Sequence, residues 1–131
     1  MDDITGFFDK DLYARENGIE LLHVGKGVAG VRMAIQEKHI NSHGTVHGGA
    51  IFTLADTAFA LASNSHGIPA SAINAHISYM KAARSGTLRA EAREFALNPR
   101  LASYTVEVTD DAGEKIAIFQ GMAYRKTPPR R

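Results

Sequence analysis

Two rhythms of apolar and polar positions run along this chain of 131 residues. From Ile19 to Glu37, Leu22, Val24, Val28, Val31, Met33 and Ile35 recur near every second position around Gly25-Lys26-Gly27, which predicts a β-hairpin. Ser71 to Lys81, Thr87 to Leu97, Leu101 to Thr109 and Lys115 to Arg125 are also β-compatible. Arg84-Ser85-Gly86, Asn98-Pro99-Arg100 and Asp110-Asp111-Ala112-Gly113 supply turns between them, so the last strands are expected to form an antiparallel meander. The other rhythm is helical. Ile4, Phe7, Phe8, Leu12 and Tyr13, spaced by three to five, predict a short amphipathic helix ending at Asn17-Gly18, a lid or brace. Gly48 to Ser65 is Ala- and Leu-rich and free of proline. It predicts a helix roughly 27 Å long, apolar on nearly every side and therefore buried. His66-Gly67-Ile68-Pro69 stops it. Lys38 to Val46, polar and loop-like, leads into His47-Gly48-Gly49.

A helix, two strands, one long apolar helix and four strands are accommodated most economically by a single sheet curved around the buried helix, an α+β fold. The expected organisation is one domain over 1–131, with a helical segment over 1–17 and a flexible tail over 127–131. At this size about two-thirds of the unfolded surface is buried, which leaves little room for a deep private pocket and favours a site shared between subunits.

Composition narrows the chemistry. A net charge of +1 with scattered basic residues gives no field to hold a polyanion, so nucleic acid is not an expected partner. The absence of cysteine removes disulfides, thiolate metal sites and a cysteine nucleophile. With no signal peptide and no long apolar run, the expected setting is cytoplasmic, without a membrane.

Asp56 is the one charged residue in the long helix, too far from its start to act as a cap. It either lies on a narrow wet stripe with Thr53, Thr57, Ala60 and Asn64, pairs with a basic residue, or projects into a cleft that a substrate or partner subunit enters. His47-Gly48-Gly49 opens the same helix. Its glycine N–H groups and the positive helix end suit a carbonyl oxygen acquiring negative charge. His39, His43 and His47, at intervals of four, would align for a metal only on a helix, and Ser42 and Gly44 oppose one, so no metal is expected. His23, His66 and His76 are expected as surface or strand residues. Asn41 either bonds its own turn or orients a water. There is no G-x-S-x-G elbow and neither glycine pattern for nucleotide phosphates.

The run from Asn41 through His47-Gly48-Gly49 to Ala55-Asp56 and Ala60 resembles the hotdog-fold thioesterases of the PaaI type, the phenylacetate-degradation thioesterases. The order of elements agrees from about Gly18 to Arg125, Ile77-Ser78-Tyr79-Met80 included. The resemblance implies a sheet wrapped around the long helix, dimers joined sheet edge to sheet edge, often tetramers, and two sites per dimer at the interface. It implies acyl-coenzyme A thioesters, phenylacetyl or ring-hydroxylated phenylacetyl, as substrates, with no separate cofactor. Asp56 then resembles the catalytic carboxylate, as general base or nucleophile. Gly48 resembles the donor that polarises the thioester carbonyl from the opposite subunit. Asn41 resembles the amide that positions water or substrate, and His47 the histidine that supports the loop, with Gly49 beside the substrate. Some relatives carry a Ser or Thr on the strand after the helix. Here that face shows Ala72, Asn74, His76 and Ser78, with Asn74 the substitute. Lys81, Arg84 and Arg100 are the cations available for coenzyme A phosphates. Phe52, Phe59 and Leu61 shape an acyl pocket or belong to the core.

Two rivals remain at this point. A hotdog-fold hydratase or dehydratase would act on similar thioesters, and a non-catalytic acyl-coenzyme A-binding protein would use Asp56 only to pair with a cation.

Overall fold

A computed structural model describes residues 4–126, so the tail expected over 127–131 lies outside the described residues. The single N-terminal helix is instead two, α1 (Ile4–Asp9) and α2 (Leu12–Glu16). Asp11 causes the break: it leaves helical geometry and its carboxylate accepts the Ala14 N–H at 3.0 Å, capping α2. The hairpin β1 (Ile19–Gly25) and β2 (Val28–Ala34) follows. The polar connection holds one 3-10 turn, Glu37–His39. Helix α3 (Gly48–Ser63) ends two residues earlier than the pattern predicts. Asn64 stops it, donating to the Ala60 carbonyl at 2.9 Å while accepting the Ala70 N–H at 2.9 Å. Then come β3 (Ala70–Tyr79), β4 (Thr87–Leu97), β5 (Leu101–Thr109) and β6 (Lys115–Arg125).

All six strands pair antiparallel in the order β1-β2-β4-β5-β6-β3. The expected meander therefore covers only β4 to β6. The α3 crossing delivers β3 to the far edge, beside β6, and β4 returns to pair with β2.

Helix α3 contacts every strand. Alanines at 29, 90, 92, 117 and 123 are buried in the sheet and let it close around the larger Leu54, Phe59 and Leu61 of the helix. Phe59 meets Tyr104 edge to face and Phe119 at a tilt, with ring centroids 5.6 Å apart in both pairs. Gly121 makes space for this cluster, because a Cβ there would lie 2.8 Å from Phe59 Cε1. Phe59 and Leu61 are thus core, while Phe52 is half-buried against Phe119. The helix is not apolar on every side as expected. Gly49, Phe52, Thr53, Asp56, Ala60 and Asn64 form a partly open stripe.

Candidate active site

Two consecutive glycines begin α3, and each answers to a different neighbour. A Cβ at Gly48 would sit 3.2 Å from Cζ and the hydroxyl of Tyr79, and one at Gly49 would sit 2.9 Å from His47 Nδ1. That second space lets His47 cap the helix: its Nδ1 accepts the Gly49 N–H at 2.8 Å, which places the ring proton on Nε2. The next two amides, of Ala50 and Ile51, donate to the His47 carbonyl. Among the described residues no acceptor takes the Gly48 N–H. Gly48 itself lines a groove of about 310 Å³ with Val46, Ile51, Tyr79, Met80 and Lys81.

Of the two roles the sequence left open for Asn41, the fold shows the bonding of its own turn. Its Oδ1 accepts the His43 N–H at 2.9 Å and the Thr45 N–H at 3.1 Å, closing the turn that leads to His47. Its Nδ2 has no partner among the described residues and remains available to donate. The loop is anchored from behind by buried His39. Its Nδ1 accepts the Gln36 N–H at 3.0 Å, its Nε2 donates to the Asn17 carbonyl at 3.0 Å, and its own carbonyl accepts the His47 N–H. Both ring nitrogens of His39 are therefore occupied. No group of three His, Asp or Glu side chains among the described residues is placed to hold a metal.

Asp56 lies on the open stripe of α3, half-buried, and no described cation or N–H donor pairs with its carboxylate. Burial, and secondarily the negative charge of Asp11, hold its pKa above the ordinary 3.8. The pairing alternative is thus not realised. Thr57 is not on the stripe with it, being buried with its hydroxyl donating to the Thr53 carbonyl at 2.7 Å. Asp11, outside the sequence-derived set, is brought near by the packing of α1 and α2 on α3.

Several other candidates fall elsewhere. Ile73 bulges out of the β3–β6 ladder, so Ala72 pairs with Ala123 on the helix side while Asn74 pairs with Met122 on the opposite face. There Asn74 shares a shallow groove with His76, Gln120 and Phe95 and is not brought to Asp56. Lys81 borders the Gly48 groove, in an ion pair with Glu114. Arg84 is exposed, one residue from Ala83, whose carbonyl accepts the Val46 N–H at 2.8 Å. Arg100 donates to the Tyr124 hydroxyl at 2.9 Å. His66 is not a surface residue as expected. It is half-buried against Glu94 at 2.6 Å, and Glu94 also accepts the Tyr104 hydroxyl. Tyr79, which sequence reasoning did not single out as a site residue, touches Gly48 from 31 positions away, a distance no local pattern spans.

Known proteins agree with this architecture. The family model for the thioesterase superfamily matches residues 43–117. Acyl-coenzyme A thioesterase PaaI of Escherichia coli is 33% identical over 119 residues, 90% of this chain and 85% of that protein. Its structure superposes with a TM-score of 0.91, covering 94% of this chain and 90% of that one at 31% identity. A mutant of the phenylacetic acid degradation protein PaaI from Thermus thermophilus gives 0.85 at 38% identity, covering 88% and 100%. The smu.793 protein of Streptococcus mutans UA159, solved bound to acetyl CoA, gives 0.80 at 26% identity, covering 86% and 91%. With the hotdog arrangement of sheet and helix, these matches show that the chain belongs to the thioesterase superfamily and is an enzyme of its acyl-coenzyme A thioesterase group.

Proposed function

We propose that this protein hydrolyses arylacetyl-coenzyme A thioesters, phenylacetyl or ring-hydroxylated phenylacetyl, to the free acid and coenzyme A. The observation that carries the reading is the unpaired set at the site: the Gly48 N–H, Asn41 Nδ2 and the raised carboxylate of Asp56. The Gly48 N–H, at the positive end of α3, receives the developing oxyanion, a donor worth about 3 kcal/mol. Asn41 Nδ2 holds the water or the substrate. Asp56, made a better proton acceptor by burial, takes a proton from water as the water oxygen bonds to the carbonyl carbon. The C–S bond then breaks, coenzyme A leaves as the thiolate and is protonated, and Asp56 gives up its proton to return to the carboxylate. Direct attack by Asp56, expelling the thiolate to leave a mixed anhydride that a water then hydrolyses, reaches the same products. No cofactor enters either route, because coenzyme A belongs to the substrate.

Two copies are needed. Gly48 and Asp56 are separated by roughly 12 Å of helix rise, eight residues at 1.5 Å each, so one carbonyl cannot meet both groups of a single chain. The edge strand β3 supports the second copy. It has ten residues, none of them an acid, lysine, arginine or proline, and exposes Ile73 at 58%, a long edge whose one guard against pairing is the bulge at Ile73. Antiparallel pairing of β3 with its counterpart joins two sheets and brings Asp56 of one copy toward Gly48 of the other. A homotetramer is a pair of such dimers. Lys81 and Arg84 receive the coenzyme A phosphates at the mouth, Arg100, at the opposite end of β6, reaching it only from the second copy, and the protein works in the cytoplasm, within phenylacetate degradation. No helix among the described residues is long and apolar enough to cross a membrane.

The test is release of free thiol from phenylacetyl-, hydroxyphenylacetyl-, benzoyl- and medium-chain acyl-coenzyme A. Arylacetyl substrates should give the highest kcat/KM, and Asp56→Ala should abolish release. Wild-type rates from the Asp56→Ala protein would overturn the assignment, and a preference for medium chains would overturn the substrate class.

A further inference from the structure

Two adjacent glycines at a helix start are the least constrained backbone the chain can place there, yet a useful oxyanion donor must hold a fixed direction. The peptide joining Gly48 to Gly49 is held from both ends. Its N–H donates to His47 Nδ1 at 2.8 Å, and its carbonyl accepts the Tyr79 hydroxyl at 3.0 Å. The Tyr79 ring also closes the space beside Gly48, where a Cβ would come within 3.2 Å. Thr53 secures the next carbonyl, donating to Gly49 at 2.8 Å. Tyr79 remains 53% exposed, so core packing does not explain its placement. It stands at the end of β3, on the wall of the Gly48 groove.

We propose that Tyr79 is a positioning residue for the thioesterase reaction, locking the first turn of α3 through its hydroxyl so that the free Gly48 N–H points at the substrate carbonyl. This rests on the reading of Gly48 as the oxyanion donor. The phenol acts through the peptide and not on the reacting atoms. The Gly48 N–H lies in the preceding His47–Gly48 peptide, whose carbonyl accepts from Ala50 and Ile51, while His47 Nδ1 and Tyr79 hold the peptide that follows, so the two rotatable bonds of Gly48 are bounded on both sides. The contact also couples the edge strand to the oxyanion donor, so pairing at β3 and the geometry of Gly48 share one side chain.

Tyr79→Phe keeps the ring and removes the bond. It should lower kcat about tenfold with KM within twofold and an unchanged melting temperature, the pattern of a misdirected donor. A merely structural role would lower the melting temperature and leave kcat intact. Gly48→Ala adds the methyl that meets the ring and should lose activity. Wild-type kcat in Tyr79→Phe, or a kcat loss accompanied by a matching fall in melting temperature, overturns the proposal. Asp56→Asn separates the two levels: if it stays active the thioesterase assignment fails, and if it is inactive while Tyr79→Phe is normal only the positioning role fails.

Discussion

Asp56→Asn should remove activity and make the protein more stable at neutral pH. The carboxylate sits half-buried on α3 without a cation or an N–H donor, with burial and then the Asp11 charge raising its pKa. The folded state therefore holds the proton more tightly than the unfolded chain, for which the value is 3.8. Below 3.8 both states are protonated and ionisation costs nothing. The cost grows as pH rises from there through the folded-state value, and it is fully present above it. Asparagine matches the shape and carries no charge at any pH. Asp56 keeps contact with water, so the expected gain is about 0.5–1 kcal/mol, the lower part of the range for relieving a conflict at a functional site. For a domain of this size that is a rise of about 2–5 °C in melting temperature. Thermal unfolding of both proteins at neutral pH and near pH 4, beside a thiol-release assay, measures it. The gain should shrink toward zero at the acid end. A destabilised Asp56→Asn at neutral pH, or an equal gain at both pH values, would show that the carboxylate has a structural partner and refute the reasoning.

Asp11→Asn keeps an equally good cap on α2 while removing the charge near Asp56, so the acid limb of the pH–kcat profile should move to lower pH with little change in stability. Asn41→Asp preserves the oxygen that closes the 41–45 turn and loses the Nδ2 donor. It should fold like the wild type and lose activity, whereas Asn41→Ala should lose both stability and activity. Gly121→Ala forces a methyl against Phe59 at 2.8 Å, in a cluster with no slack. It should cost about 1–3 kcal/mol in denaturant unfolding.

Elements bounded by local chemistry were legible. The bounds of β4 and β5 and the start of β6 follow from turn residues, and the long helix follows from its composition, although Asn64 ends it two residues before the expected Ser65. What escaped depends on pairings distant in the chain or on one residue acting locally. The place of β3 at the far edge is decided by α3 crossing the sheet, which alternation cannot register. The one-residue bulge at Ile73 reverses which side chains face the helix, and this is why Asn74 falls on the opposite face. The spacing of Ile4 to Tyr13 looks continuous because two short helices, interrupted at Asp11, keep a nearly helical rhythm. At the site the residue types were legible and their partners were not. Which atom of Asn41 closes the turn, and that Tyr79 rests on Gly48, follow only from the folded loop and edge strand.

The groups that carry the proposed chemistry are those the fold leaves unspent. Elsewhere most polar side chains near the core are consumed in building it, the buried Arg125 Nε being an exception outside the site. His39 uses both ring nitrogens, Asn64 uses its oxygen and its nitrogen, and Glu94 accepts from both His66 and Tyr104. A buried or half-buried polar group without a partner costs stability, so the economy of the rest makes the exceptions informative. The Gly48 N–H, the Asn41 amide nitrogen and the Asp56 carboxylate are a donor, a donor and an acceptor, two of them in or against one helix and the third on the loop that enters it. A thioester carbonyl and its attacking water need that complement, two donors for oxygen atoms and one acceptor for a proton. One chain holds Gly48 and Asp56 too far apart along α3 to use them together, while its uncharged edge strand offers the means to bring in a second copy. Under the proposed mechanism, pairing of two copies along β3 with substrate between them answers both the unpaired groups at the site and the uncharged edge strand.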